Sequence, residues 1–161
     1  MKRFFPTLVV ALAATATAVA ASGSSSNQTT LDLALDGRHA TRTYVDAAPR
    51  HTRRAPNDSP GDTVVLHAPL LDSKGTRVGT IDATFLTTAP GTSAKHDGSE
   101  QLTATLTLAD RSQLAVQGVV GAFARTTHIA IVGGTGKYAG ARGQVTAHFT
   151  PRAVRLHLEL S

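Results

Sequence analysis

The chain has 161 residues, of which 41% are hydrophobic and 17% are charged, and this length and composition predict a single folded domain. It contains no cysteine, which excludes disulfide frameworks, thiolate zinc sites and cysteine nucleophiles. The formal net charge of +5 is too small for the composition to indicate a nucleic-acid-binding protein.

The first 21 residues have the pattern of a secretory signal peptide. Lys2 and Arg3 precede an uncharged stretch at 4–21, which ends in small residues that include Ala18 and Ala20. A membrane anchor is the alternative, but the stretch is rich in alanine and threonine, whereas a spanning helix needs about 20 strongly apolar residues. The sequence therefore predicts a secreted, extracellular protein without a membrane anchor.

Three segments follow the predicted signal peptide. A flexible lead is expected at 22–37, although three leucines within it stand at alternate positions, as in a short strand. A strand is predicted at 38–46, where β-branched residues alternate. The segment 47–61 holds three prolines and has no periodicity, so it is predicted to be a long loop.

From residue 62 onward the chain alternates between apolar and polar residues with the period of β-strands. Strands are predicted at 63–66, 77–88, 102–108, 114–120, 125–132, 144–150 and 153–160. Pro69 is expected to end the first of these. About eight closely spaced strands predict an all-β domain, either an antiparallel barrel or a sandwich. In an eight-stranded barrel the interior is either filled by side chains or holds one small ligand.

A cluster of glycines separates the last hairpin from the strands before it: Gly133, Gly134, Gly136, Gly140 and Gly143. A strand follows this cluster rather than a helix, so neither a Walker phosphate loop nor a dinucleotide-binding turn is predicted. We interpret the cluster as a structural turn in a tight crossing between two strands, with Gly134 and Gly136 at positive φ.

The same segment resembles a known family. Its sequence, GGTGKYAGARG, is similar to the GGTG-x-(F/Y)-x-x-ARG motif of dirigent proteins and to the corresponding turn of allene oxide cyclase-like barrels. Upstream pieces at 61–62, 69–79, 102–108 and 116–118 are also similar. The resemblance covers roughly residues 38–161, which we take as the barrel domain.

The resemblance implies an eight-stranded antiparallel β-barrel with a pocket at one end, assembled as a homodimer or homotrimer. It implies a small apolar molecule as the ligand and no cofactor, because barrels of this kind control cyclisation, isomerisation or coupling by orienting a reactive substrate. If the chain is an enzyme, the resemblance indicates a cofactor-independent isomerase or cyclase.

The family's functional residues carry over only in part. Dirigent proteins place an aspartate directly before the Pro-Leu pair, where this chain has Ala68 preceded by His67. The arginine of the motif is present as Arg142. We expect Arg142 at the barrel mouth, with Tyr138 and His67 contacting the same ligand, so that these three are the catalytic candidates. The alternative is that Arg142 braces the turn.

Other polar residues have two interpretations each. Asp72 is expected to shape a hairpin turn or to bind ligand at the pocket rim. Arg155, His157 and Glu159 share one strand face that meets either water or a pocket. The seven histidines lack the spacing of metal ligands, so no metal site is predicted.

Two functions stay open. The first is a secreted barrel that guides cyclisation, isomerisation or coupling of a small apolar metabolite. The second is a non-catalytic barrel that binds a hydrophobic molecule or has a structural role at the cell surface. Two or more ionisable side chains converging on an apolar cavity would favour the first.

Overall fold

The structure, a computed structural model, describes residues 29–47, 59–91, 95, 97–150 and 153–161. The predicted signal peptide and most of the predicted loop at 47–61 lie outside the described residues. The strands are β1 (Thr29–Leu35), β2 (Thr41–Val45), β3 (Thr63–Leu71), β4 (Arg77–Ala89), β5 (Ser99–Leu108), β6 (Gln113–Gly121), β7 (Thr126–Thr135), β8 (Gly143–Phe149) and β9 (Val154–Leu160).

The described strands form one closed antiparallel sheet. Their order is β1-β9-β8-β7-β6-β5-β4-β3-β2, and β1 also pairs with β3, which closes the sheet on itself. The first two strands share one position in the barrel, because β1 leaves β3 at Leu35 and β2 rejoins it at Thr41, opposite His67. Nine strands therefore occupy eight positions, and the predicted eight-stranded antiparallel barrel is confirmed.

Strict alternation along the strands places the core inside the barrel. Every second residue of β5 from Glu100 to Leu106 is buried, as the period of an extended strand requires. The same alternation on β9 turns Leu156, Leu158 and Leu160 inward and leaves Arg155 and His157 on the outer face. The outer stripe that includes Glu159 thus lies outside the barrel cavity.

The prediction of a flexible lead at 22–37 is wrong for residues 29–35. They form β1, which pairs with β9 from Thr29 opposite Leu160 to Ala34 opposite Arg155. The pairing is favoured because the alternating leucines bury their side chains in the barrel, where Leu33 is 8% exposed. Residues 22–28 lie outside the described part of the chain.

Pro69 does not end its strand, and β3 continues to Leu71. Proline lacks a backbone donor but keeps its acceptor. The Pro69 carbonyl accepts a hydrogen bond from the backbone N–H of Asp36 at 2.9 Å. Backbone hydrogen bonding of β3 therefore does not stop at the proline.

The glycine turn agrees with the prediction at one of its two key positions. Gly136 has φ +61°, in the left-handed region, and opens a single turn of 3-10 helix at Gly136–Tyr138. Gly134 does not have a positive φ. A Cβ at Gly134 would instead meet the backbone carbonyls of Tyr138 and Gln113, so glycine is required there by close packing.

Candidate functional site

The barrel contains a cavity in one half of its interior. Its volume is about 390 Å³. Most of its lining is aliphatic or aromatic and includes Leu66, Ile81, Phe85, Leu102, Ile129 and Leu156. Among the described residues, the only lining side chains that carry a charge or a phenol are Arg42, Tyr44 and Glu100. An apolar cavity with few polar groups suits a small apolar ligand held in one orientation.

Side chains fill much of the other half of the barrel, and a separate concave space of about 340 Å³ at that end is lined by residues that include Leu33, Leu108, Asp72 and Tyr138. Leu70, Leu114 and Leu158 are fully buried there, and Tyr138, which is 9% exposed, packs against the same core. We call this half the closed end. We call the opposite end, where Tyr44 and Ala122 line the cavity and are exposed, the mouth.

Glu100 places a carboxyl group at the mouth in apolar surroundings. Its residue is 8% exposed, and no hydrogen bond or ion pair to its side chain is found among the described residues. Burial, helped by the nearby charge of Asp97, raises the pKa of Glu100. Its cross-strand neighbour Thr87 has a buried hydroxyl without a hydrogen-bond partner in the described structure. This end of the cavity therefore holds a carboxyl group whose surroundings favour its protonated form.

Two further polar side chains reach the cavity from β2. Arg42 and Tyr44 stand two residues apart, so their side chains lie on the same face of the strand. They pair with Leu66 and Val64, which also line the cavity. Arg42 and Glu100 are thus two ionisable residues that line one apolar cavity.

Tyr138, a predicted catalytic and ligand-binding candidate, lies at the closed end. The Lys137 ammonium sits 5.0 Å from the centre of the Tyr138 ring and 3.0 Å from the Asp110 carboxylate. Hydrogen bonds from Ser112 and Lys137 hold the pKa of Asp110 down at about 2, and the Asp110 carboxylate raises the pKa of Lys137. These contacts connect the glycine turn to the β5–β6 turn.

Arg142 also lies at the glycine turn, and it does not line the barrel cavity. Its guanidinium Nη1 donates a hydrogen bond to the carbonyl of Ala141 at 2.9 Å. Its backbone exchanges hydrogen bonds with Ser161 at 3.3 and 3.0 Å. The contacts are those of a brace for the turn, the alternative that the sequence left open, and ligand binding by Arg142 stays a prediction.

His67 and Asp72 also lie away from the cavity. His67 is on the outer face of β3, with Nδ1 2.6 Å from the Asp82 carboxylate, while its neighbour Ala68 is fully buried. Asp72 accepts hydrogen bonds from the backbone N–H groups of Lys74 and Thr76, at 2.8 and 2.9 Å, as a turn residue does. The structure does not bring His67 together with Arg142 and Tyr138, because alternation along β3 turns His67 away from the interior.

The histidines on β7, β8 and β9 face outward. His157 bonds the Asp32 carboxylate at 2.7 Å, which raises the pKa of His157, and His148 contacts the Thr126 hydroxyl at 3.0 Å. In the described ranges, no group of three or more metal-ligating side chains comes together.

Sequence reasoning missed Arg42, Tyr44 and Glu100. A signal for Glu100 was present, because the inward positions Leu102, Ala104 and Leu106 continue backward by two residues to Glu100. An acidic residue in register with a buried apolar stripe is the mark of a cavity or a site. Arg42 carried no comparable signal, since its inward direction depends on the pairing of β2 with β3.

Comparison with known proteins gives one family and several structures. The family model described as Dirigent-like protein matches residues 32–159. No curated protein matches the chain in sequence. In the part of the chain that the structure describes, no helix is long and apolar enough to cross a membrane.

The similar solved structures include a pyocyanin demethylase, with 22% identity and a TM-score of 0.61 over 83% of this chain and 99% of that one. A pterocarpan synthase dirigent protein is 18% identical, with a TM-score of 0.60 over 83% of this chain and 85% of the other. A Diels–Alderase from Streptomyces koyangensis is 22% identical with a TM-score of 0.61, and the match spans 83% of this chain but only 63% of the Diels–Alderase. At these identities the likeness shows a common fold.

Proposed function

Because the chain belongs to the dirigent-like protein family, we propose that its barrel binds a small apolar molecule and guides its cyclisation, isomerisation or coupling. The observation that carries this proposal is the apolar cavity of about 390 Å³ with the buried carboxyl of Glu100 in its wall. The similar structures of a dirigent protein and a Diels–Alderase support it, since their names denote reactions in which a substrate is guided into one product.

The walls and Glu100 have different tasks in this proposal. The aliphatic walls hold the ligand in one folded shape, which lowers the entropic cost of reaching the transition state. Glu100 donates a proton to an oxygen of the ligand as the new bond forms and recovers one from the product. The carboxyl is then unchanged over the cycle, and the reaction needs no external acid.

Binding is tested with 1-aminoanthracene, a neutral apolar dye whose fluorescence rises in apolar surroundings. We expect the dye to bind, and we expect Ala104→Phe to weaken binding about tenfold or more, because Ala104 lines the cavity and the added ring would fill it. Ala130→Phe is the matched control, since Ala130 is exposed on the outer face of β7. Equal dye binding by the two variants would contradict the proposed cavity.

Chemistry is tested with the small molecule that co-purifies with the protein from culture medium, identified by mass spectrometry. Glu100→Gln keeps the size of the side chain and removes the acid, so we expect turnover to fall about a hundredfold while binding is kept. Unchanged turnover would exclude Glu100 as the acid. Binding without any conversion by the wild-type protein would favour the non-catalytic alternative.

We also propose that the protein works outside the cell as a homodimer or homotrimer. The leader-like sequence at 1–21 supports export, and N-terminal sequencing of protein from the medium should begin near residue 21 or 22. An intact Met1 on the secreted protein would contradict this. Light scattering coupled to size-exclusion chromatography measures the assembly, and a monomer would contradict the second part.

A further inference from the structure

A second concave region adjoins the cavity at the place where two strands share one barrel position. β2 has a strand partner on one edge only among the described residues, because β9 begins at Val154 and does not extend alongside it. The free edge of β2 borders a cleft of about 710 Å³. We call this region the seam cleft. It shares Leu35, Arg42, Leu66 and Val154 with the lining of the barrel cavity, so the two spaces meet there.

The seam cleft has a strongly positive lining. Arg38, Arg42 and Arg155 all line it and are all exposed. The described ion pairs involve none of these three arginines. The acidic residue of the lining, Asp36, is already bonded to His39, with 2.7 Å between its Oδ2 and the imidazole Nδ1. Three guanidinium groups therefore face one carboxylate, and that carboxylate has its own partner.

We propose that the seam cleft binds the anionic head group of an amphiphilic ligand whose apolar body occupies the barrel cavity. The inference rests on the proposed function, because it assigns the ligand of the same barrel to the class of organic anions with one apolar end, such as a medium-chain monocarboxylate. Arg42 is the residue that joins the two spaces. Its guanidinium offers paired donors that match a carboxylate, and Arg38 and Arg155 add positive potential around the head group.

The protein offers different surroundings to the apolar part and to the charged part of such a ligand. The aliphatic walls suit the uncharged part of the ligand, since burying a charge among them without a partner carries a large desolvation penalty. The seam cleft is open to water, so an anion there keeps part of its hydration and gains the arginine contacts. A ligand with this polarity is thereby fixed in one direction along the barrel.

The test compares decanoate, decanol and decylamine, which share one hydrocarbon tail and differ in the head group. Calorimetry with the mature protein at low salt should show decanoate bound about tenfold or more tightly than decanol, with decylamine weakest. The preference for decanoate should shrink in about 0.5 M NaCl, because salt screens exposed charges.

Substitution of single arginines then tests which of them cause the preference for decanoate. Arg42→Gln should abolish most of it, and Arg155→Gln should reduce it while decanol binding is kept. Arg77→Gln is the matched control, because Arg77 is an exposed arginine at the start of β4 that lines neither space. Far-ultraviolet circular dichroism checks that each variant folds. If Arg42→Gln fails to fold, the preference for decanoate measured with the outer-face variant Arg155→Gln tests the proposal.

The outcomes separate this inference from the proposed function. Binding of decanol with no preference for decanoate would overturn the anionic head-group site and leave the apolar cavity intact. A preference that survives both Arg42→Gln and Arg155→Gln would also overturn it. If none of the three ligands binds although 1-aminoanthracene does, the anionic head-group site is overturned and the proposed function stands. If the dye also fails to bind, both proposals fail.

Discussion

The polar side chains of the glycine turn and the β5–β6 turn, at the closed end of the barrel, are paired with one another, whereas two polar side chains near the mouth are not. At the closed end, Asp110 bonds Ser112 and Lys137. At the mouth, the Glu100 carboxyl and the Thr87 hydroxyl have no hydrogen-bond partner among the described residues. Buried polar groups without a partner destabilise a fold, so these two groups support the proposal that the mouth is shaped for a ligand rather than for stability.

The largest effects on stability are expected at the closed end. Gly134→Ala should lower the free energy of unfolding by about 2 kcal/mol, because the new methyl group would meet two backbone carbonyls. Gly136→Ala should cost about 1 kcal/mol through its positive φ. Urea unfolding measures both.

Gly133→Ala is the matched control within the same turn. A Cβ at Gly133 would meet only the Arg142 side chain, at 3.8 Å, so its unfolding midpoint should stay near that of the wild type. Equal losses at Gly133 and Gly134 would show that the turn tolerates no side chain for a reason other than packing.

A smaller loss is expected for Arg142→Leu, about 0.5–1 kcal/mol, since it removes the hydrogen bond to the Ala141 carbonyl. Binding of 1-aminoanthracene should not change, because Arg142 lies outside the cavity lining. Thermal unfolding and dye titration measure the two effects. Weaker dye binding at unchanged stability would restore Arg142 as a ligand-binding residue and remove the distinction between the two ends.

At the mouth the sign should reverse, so that Glu100→Gln stabilises the protein. The folded pKa of Glu100 is raised, so the folded state holds a proton that the unfolded state releases, and wild-type stability falls as the pH rises through that interval. The variant does not lose stability in this way, because a glutamine side chain carries no ionisable proton. Its melting temperature should exceed that of the wild type at pH 7 and match it near pH 4, and a lower value at pH 7 would contradict the account.

The smallest expected effect concerns Asp110→Asn at the closed end. The folded pKa of Asp110 is lowered to about 2, so its contribution is present above the unfolded value of 3.8 and is lost as the pH falls toward 2. The variant should therefore melt slightly below the wild type at pH 6 and equal it near pH 2. A difference that is independent of pH would assign the effect to the turn geometry rather than to the charge.

The sequence predicted the barrel because each strand carries its own alternation, a local property that can be read residue by residue. It failed at 29–35 because the partner of β1 is the last strand, and a short run of leucines does not reveal so distant a partner. The residues that line the cavity at the mouth were missed for a related reason. The glycine motif drew attention to Tyr138 and Arg142, yet residues near one another in a motif lie at one end of a barrel, and the cavity lies at the other.

The inward position of Glu100 can be read from its own strand, whereas the position of Arg42 depends on how distant strands pair. Glu100 continues the inward stripe of its own strand, so its position could be read from the pattern. The seam cleft exists only because β1 and β2 share a barrel position and β9 starts late, and three separate parts of the chain set that geometry.

The pairing of β1 with β9 also has a consequence for the order of folding. Thr29 lies opposite Leu160, so the first described strand finds its main partner in the last described strand. The hairpins between β3 and β7 form from neighbouring segments, but closure of the barrel has to wait until β9 is available, and contacts so far apart in sequence form slowly. Until β9 has been synthesised, the strands before it can form only an open sheet with unpaired edges.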